Sequence, residues 1–219
     1  MQTEPTPTMS FPRVLPRGPH RLAREVVEAS QRGRLLDAMA HAVAEKGYGA
    51  VSVADVIGRA GVSRKTFYVH FRDKLACFLA AYDVGVEVLL ATVRDAGAGE
   101  ADPLAVARAR TRAYLETLAA EPAFARTFLI EVAAAGPEAL ERRRRVHRQF
   151  ADAARELVES TPGAPALPDE LYLASVGAAN EVVSAWVVEG RTAELPQLEE
   201  ILVHIQFSLL ARPFSGQGD

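Results

Sequence analysis

Two stretches of helical spacing between Ser52 and Phe71 are too short to stand alone, and this constrains the chain more than any other feature. Ser52-Val53-Ala54-Asp55 is close to a capping box, with a serine hydroxyl to close the first turn and an acid at N3. The helix it opens, VADVIGRA, runs two turns and meets Gly61. Val62 is an apolar anchor, and Ser63 caps a second short helix, RKTFYVHF. Isolated helices below about 12 residues are marginal in water, so both must pack at once on a shared core. Val53, Val56, Ile57, Val62, Phe67 and Phe71 supply it. The turn between the helices holds only three or four residues, which predicts a tight crossing, a helix-turn-helix.

The rest of the chain also reads as helix. Residues 22–30 suggest a short extra helix. Leu35, Leu36, Met39, Ala42 and Val43 then repeat at the 3.6 period up to Gly47, which suits the left-handed position after a helix. Asp73–Arg94 predicts a helix long enough to leave a small domain and enter the next. Later helices are expected over Asp102–Ala119, from Pro122, from Pro137 to about Ser160, over Asp169–Gly190 and over Glu194–Ala211. No segment alternates apolar and polar with β-branched residues, so the predicted fold class is all-α. The predicted organisation is a flexible, proline-rich basic arm at 1–24, a helix-turn-helix domain at 25–75, a helical bundle at 76–212 and a tail at 213–219.

Charge separates the two domains. Residues 1–75 carry 12 Lys and Arg against 7 Asp and Glu; the remainder carries 13 against 21. A small basic module on an acidic body suits a polyanionic partner. One cysteine, Cys77, excludes an intrachain disulfide and a thiolate-rich metal site. No run approaches 18 apolar residues without charge, and the N-terminal residues lack a secretory h-region, so the expected location is the cytoplasm, away from membranes. No metal, cofactor or catalytic constellation is expected: His70 has no histidine at helical spacing, and no nucleophile stands beside a base.

The second short helix has the chemistry of a major-groove reader. Arg64, Lys65, Thr66, Tyr68 and His70 are polar and largely outward, while Phe67 and Phe71 hold the inner side. Arginine takes guanine bidentately and a threonine methyl meets thymine. Tyr68 and His70 suit phosphate or sugar, and Lys74 and the N-terminus capped by Ser52 suit phosphate oxygens.

The run VSVADVIGRAGVSRKTFYVHFRDK, residues 51–74, resembles the DNA-binding signature of the TetR/AcrR transcriptional regulators. The resemblance covers residues 34–82. It implies an all-α homodimer whose N-terminal helices bind operator DNA and whose larger domain holds a small-molecule pocket and the dimer surface. It also implies DNA contacts at Ser52, Val53, Ser63, Arg64, Lys65, Thr66, Tyr68, His70 and Lys74.

One reading unit offers too few base contacts for operator-level specificity, and a twofold dimer doubles them. The last two helices carry apolar residues over more than one face, and Leu171, Val176, Val183, Val187, Ile201, Ile205 and Leu209 are the expected interface. The same width also suits the central core helix of one subunit. A bundle pocket needs a few polar groups among apolar ones; the candidates are Tyr114, Phe128, Glu131, His147, Phe150, Asn180, Glu181 and Trp186. The arginine run at 142–145, with Arg148, points in all directions on a helix and reads as a solvated, salt-bridged face. The expected function is a repressor released from a palindromic operator by a small-molecule effector, and not an enzyme. A transcriptional activator, or an effector-independent DNA-binding protein, would use the same DNA contacts.

Overall fold

A computed structural model describes residues 21–210, with side chains described from Val27 onward; the greater part of the expected arm and the tail lie outside this range. Every regular element among the described residues is helical, as expected. Helix α1 (Arg21–Lys46) is followed by α2 (Val53–Ala60), α3 (Arg64–His70) and α4 (Lys74–Asp95). The larger part comprises α5 (Pro103–Ala120), α6 (Pro122–Leu129), a 3-10 segment Glu131–Ala135, α7 (Pro137–Glu159) and α8 (Asp169–Val188). It ends with a second 3-10 segment, Thr192–Leu198, and α9 (Glu199–Leu210).

Three boundaries differ from the sequence reading. The extra helix and the first core helix are one element, α1, which begins at Arg21 rather than after the arm. Gly33 lies inside it and is buried. Packing of α1 onto α2, α4 and α6 outweighs the ~1 kcal/mol that glycine costs a helix interior. The last helix starts at Glu199, because Pro196 has no N–H for a helical bond and holds the preceding segment in 3-10 form. A 3-10 segment also intervenes between α6 and α7.

One continuous core joins the two parts. Leu35, Met39, Val56 and Phe67 are fully buried beneath the helix-turn-helix, and the same cluster runs through Cys77, Phe78, Tyr82 and Leu89 of α4 into Leu115, Leu118 and Val132. Helix α4 thus belongs to both parts. It and α8 are long and apolar enough to cross a membrane by length and composition. Here α4 packs on α1, α5 and α6, and α8 packs on α7 and α9.

Two positions on α4 carry predictions. Gly85 is buried, and a β-carbon there would fall inside the ring of Phe124 on α6. Phe124 stacks on Phe128 at 5.3 Å and Phe128 on Tyr82 at 5.5 Å, so the ring has little room to retreat. Gly85→Ala is therefore expected to destabilise the protein by about 1–3 kcal/mol, read as a lower midpoint of urea unfolding. Cys77 is fully enclosed, and burial pushes its thiol up to about 12. A thiol reagent is expected to leave the folded protein unmodified at neutral pH and to titrate one thiol after denaturation.

Candidate nucleic-acid interface

The local capping chemistry sets the reading unit. The Ser52 hydroxyl accepts the Asp55 N–H at 3.3 Å, while Asp55 Oδ2 accepts the Ser52 N–H at 2.9 Å. Lys46 and Ser52 together hold the Asp55 carboxyl far below the usual carboxylate range, so this box stays closed at any ordinary pH. Gly61 takes the left-handed conformation, φ 63°, and ends α2; the Val62 N–H then bonds back to Ile57 O. Arg34 of α1 donates to the Ala60 carbonyl at 3.1 Å, tying the turn to the helix beneath it. Ser63 caps α3 by accepting the Thr66 N–H at 3.0 Å. Each local signal fixes where one helix stops and the next begins.

Phe67 is fully buried and Phe71 nearly so, at i and i+4, which turns the opposite face of α3 outward. Arg64 and Lys65 are exposed, and Tyr68 is 47% exposed with the Arg64 guanidinium 5.8 Å from its ring. Ser52 and Ser63 are exposed at the two helix starts, and Val53 is half-buried. The same face carries Val69, 67% exposed, which the sequence reading did not single out. An outward valine has no use in the core but suits a thymine methyl. Thr66 is half-buried, with its hydroxyl against Ser63 Oγ at 2.9 Å.

Two of the residues expected at DNA are engaged within the chain. The Lys74 ammonium donates to Tyr48 O at 2.8 Å and Val51 O at 2.9 Å and lies 4.2 Å from the Tyr48 ring centroid, so it staples the loop between α1 and α2 rather than standing free for phosphate. His70, in the last turn of α3, is half-buried against Phe71, and its Nε2 is enclosed without a partner.

The bundle contains a cavity of about 370 Å³. Tyr114, Phe128, His147, Phe150 and Asn180 line it, as the sequence suggested. Burial and then the nearby Arg143 charge push His147 below its ordinary range, so it is neutral at pH 7. Burial pushes the Tyr114 phenol up, so it keeps its proton. Arg110, Thr111 and Ser175 also line the cavity and were missed.

Three pocket candidates lie elsewhere. Glu181 is exposed on α8. Trp186 carries the Arg191 guanidinium 3.6 Å from its ring centroid and does not line the cavity. Glu131 is 8% exposed; its Oε2 accepts the Tyr48 N–H at 2.9 Å, and Arg126 lies 3.5 Å from its other oxygen. An acid in an apolar segment needs a partner, and this one finds it in the loop that precedes α2.

The residues expected at a dimer surface are placed as follows. Val183 is fully buried and Val187 nearly so, both within this subunit's core. Leu171, Val176, Ile205 and Leu209 are half-buried against their own bundle. The outward face of α8 instead presents Leu173, Ala174, Gly177, Glu181, Ala185 and Val188, and α9 adds Ile201, which is half exposed. Part of the arginine run is salt-bridged: Arg142 pairs with Asp83 and Glu138, and Arg144 and Arg148 pair with Glu141.

Comparison with known proteins places this geometry. Residues 35–81 match the family described as bacterial regulatory proteins, tetR family. The chain is 32% identical over 101 residues to the HTH-type transcriptional activator FasR of Mycolicibacterium smegmatis, and that match spans 46% of each protein. The chain thus aligns with about half the length of this curated relative. Among solved structures, the fatty acid degradation regulator FadR from Bacillus halodurans superposes with a TM-score of 0.71 at 18% identity, over 80% of this chain and 94% of that one. FadR from Bacillus subtilis, solved in complex with stearoyl-CoA, does so with 0.71 at 16% identity, over 81% and 98%. These low identities carry the all-helical fold, while the matched segment contains the whole reading unit from α2 through α3. It is through that domain, residues 35–81, that the chain is similar to the tetR family of bacterial regulatory proteins.

Proposed function

We propose that the protein is a homodimeric, DNA-binding transcriptional regulator whose operator affinity is set by an apolar small molecule, an acyl-chain compound, in the bundle cavity. The observation that carries this reading is the outward face of α3. Arg64, Lys65, Tyr68 and Val69 stand exposed on a helix held from behind by Phe67. The apolar outward face of α8 and α9 supports a twofold pairing that matches a palindrome. The cavity, and the fatty-acid regulators that share the fold, support the ligand class.

The leading form is a repressor released by effector, a ligand that prefers the conformation unfit for DNA. A second form, activation, is favoured by the name of the 32%-identical relative, a transcriptional activator. Selecting bound duplex from a random pool, then titrating it with and without acyl compounds, tests both. A palindromic site that loses affinity on adding ligand supports release, and one that gains affinity supports activation. No selected sequence at low salt overturns the regulator reading.

A further inference from the structure

Helix α5 carries arginines at 108, 110 and 112. Two are neutralised by α9: Arg108 pairs with Glu200, and Arg112 with Glu199 at 2.8 Å. Arg110 lies between them in sequence but about 200° around the helix from each, at roughly 100° per residue. It lines the bundle cavity instead, beside Thr111 and Tyr114. Among the described residues it has no hydrogen bond or ion pair, and its Nε is shut away from water with no acceptor.

The remaining wall sharpens the point. No Asp or Glu lines the cavity among the described residues. His147 is neutral at pH 7, for the reasons given above. The cavity thus has largely apolar walls, four hydroxyl groups (Thr111, Tyr114, Thr161 and Ser175), the amides of Asn180 and Gln206, and Arg110 as the one Lys or Arg among the described lining residues. Arg110 is half-buried, with its Nε enclosed and its charge facing the cavity, so an anion inside the cavity meets a cation that no carboxylate of the chain neutralises. The planar guanidinium matches a carboxylate through two parallel N–H bonds. At ~30 Å³ for each water-sized group, the cavity volume holds roughly a dozen non-hydrogen atoms.

We infer that the cavity takes a medium-chain carboxylic acid as its anion, with the carboxylate on Arg110 and the alkyl chain along the apolar wall formed by Phe128, Phe150 and Val176. This rests on reading the bundle as an effector domain and adds the ligand's charge, its length and the residue that selects it. A coenzyme A thioester also carries negative charge, but on phosphates far from the chain. It has no carboxylate to offer Arg110.

The test is calorimetric titration of the full chain with decanoate, methyl decanoate and decanoyl-CoA, using the unmodified protein, Arg110→Gln and Arg108→Gln. Decanoate should bind about tenfold or more tighter than its ester, the scale of a charge-assisted bond. Arg110→Gln should bring the acid down to the ester's affinity and leave the ester unchanged, which shows that the cavity is intact. Arg108→Gln should keep the preference. Equal binding of acid and ester to the unmodified protein overturns the inference. So does an Arg110→Gln variant that weakens both alike, or a thioester that binds more tightly than the acid. Duplex binding, followed in parallel, separates the two readings. Acid preference in a protein that ignores DNA sinks the regulator reading alone. Duplex released by another ligand, with no acid bound, sinks this inference alone.

Discussion

Replacing Lys65 and Tyr68 together by alanine should lower affinity for the selected duplex by about 100-fold or more while leaving the melting temperature within about 2 °C. Both side chains project from α3, and neither fills the core. Tyr68 meets Phe67 only edge-on, with ring centroids 5.3 Å apart, and Phe67 keeps its buried place without it. Lys65 adds a charge that releases a counterion from the duplex, so its loss should also flatten the dependence of affinity on salt by about one phosphate contact. Fluorescence anisotropy at several salt concentrations measures both quantities, and circular dichroism measures the fold. Arg145→Ala is the control, since Arg145 is exposed on α7 in the arginine run and not on the reading helix. If the double variant keeps its affinity while Arg145→Ala loses it, the DNA surface lies on the bundle. Lys74→Ala should behave differently again: it removes the staple from the Tyr48 and Val51 carbonyls, so stability should fall along with affinity.

What could be read from the sequence was local in its physics. Ser52 with Asp55, Gly61 at positive φ, Ser63, and the Phe67–Phe71 pair each act within a few residues, and together they define α2 and α3. The pocket wall was half legible. Tyr114, His147, Phe150 and Asn180 are polar or aromatic groups set in apolar helices, a pattern visible in one dimension. Arg110 was not legible, because it looks the same as Arg108 and Arg112 in sequence. Only the placement of Glu199 and Glu200 opposite α5 separates the two paired arginines from the unpaired one. The orientation of α8 was not legible for a related reason. Val183 and Val188 are equally apolar, and the rotation of α8 that buries one and leaves the other 62% exposed is set by α7 and α9, not by α8 itself. Lys74 had the right charge for phosphate, and the competing acceptors lay in a loop more than 20 residues earlier.

Glu131 is where the same kind of long-range partner bears on regulation. Helix α6 has cavity contact on one side through Phe128, and on the other its Thr127 hydroxyl donates to Ala40 O of α1 at 3.3 Å. The residues just past α6 carry Glu131, which holds the Tyr48 N–H in the loop leading to Ser52 and α2. In the proposed effector domain, a ligand that moved Phe128 would pull on α1 and on the start of the reading unit through two bonds. Glu131→Ala removes one of them and leaves a half-buried N–H without an acceptor, which should cost about 1–3 kcal/mol of stability. It should also shrink the ligand-dependent change in duplex affinity, a coupling of ordinary size being about 5–150-fold. Glu131→Gln keeps an acceptor for Tyr48 while losing the ion pair with Arg126. Arg126 is partly exposed, so the lost pair should matter less than the lost acceptor, and most of the coupling should survive. Thermal melts and duplex titrations with and without decanoate, on all three proteins, give the comparison. A Glu131→Ala protein that melts lower but keeps the full ligand response would show that the signal reaches α2 without Glu131, through the Thr127–Ala40 bond or through α4.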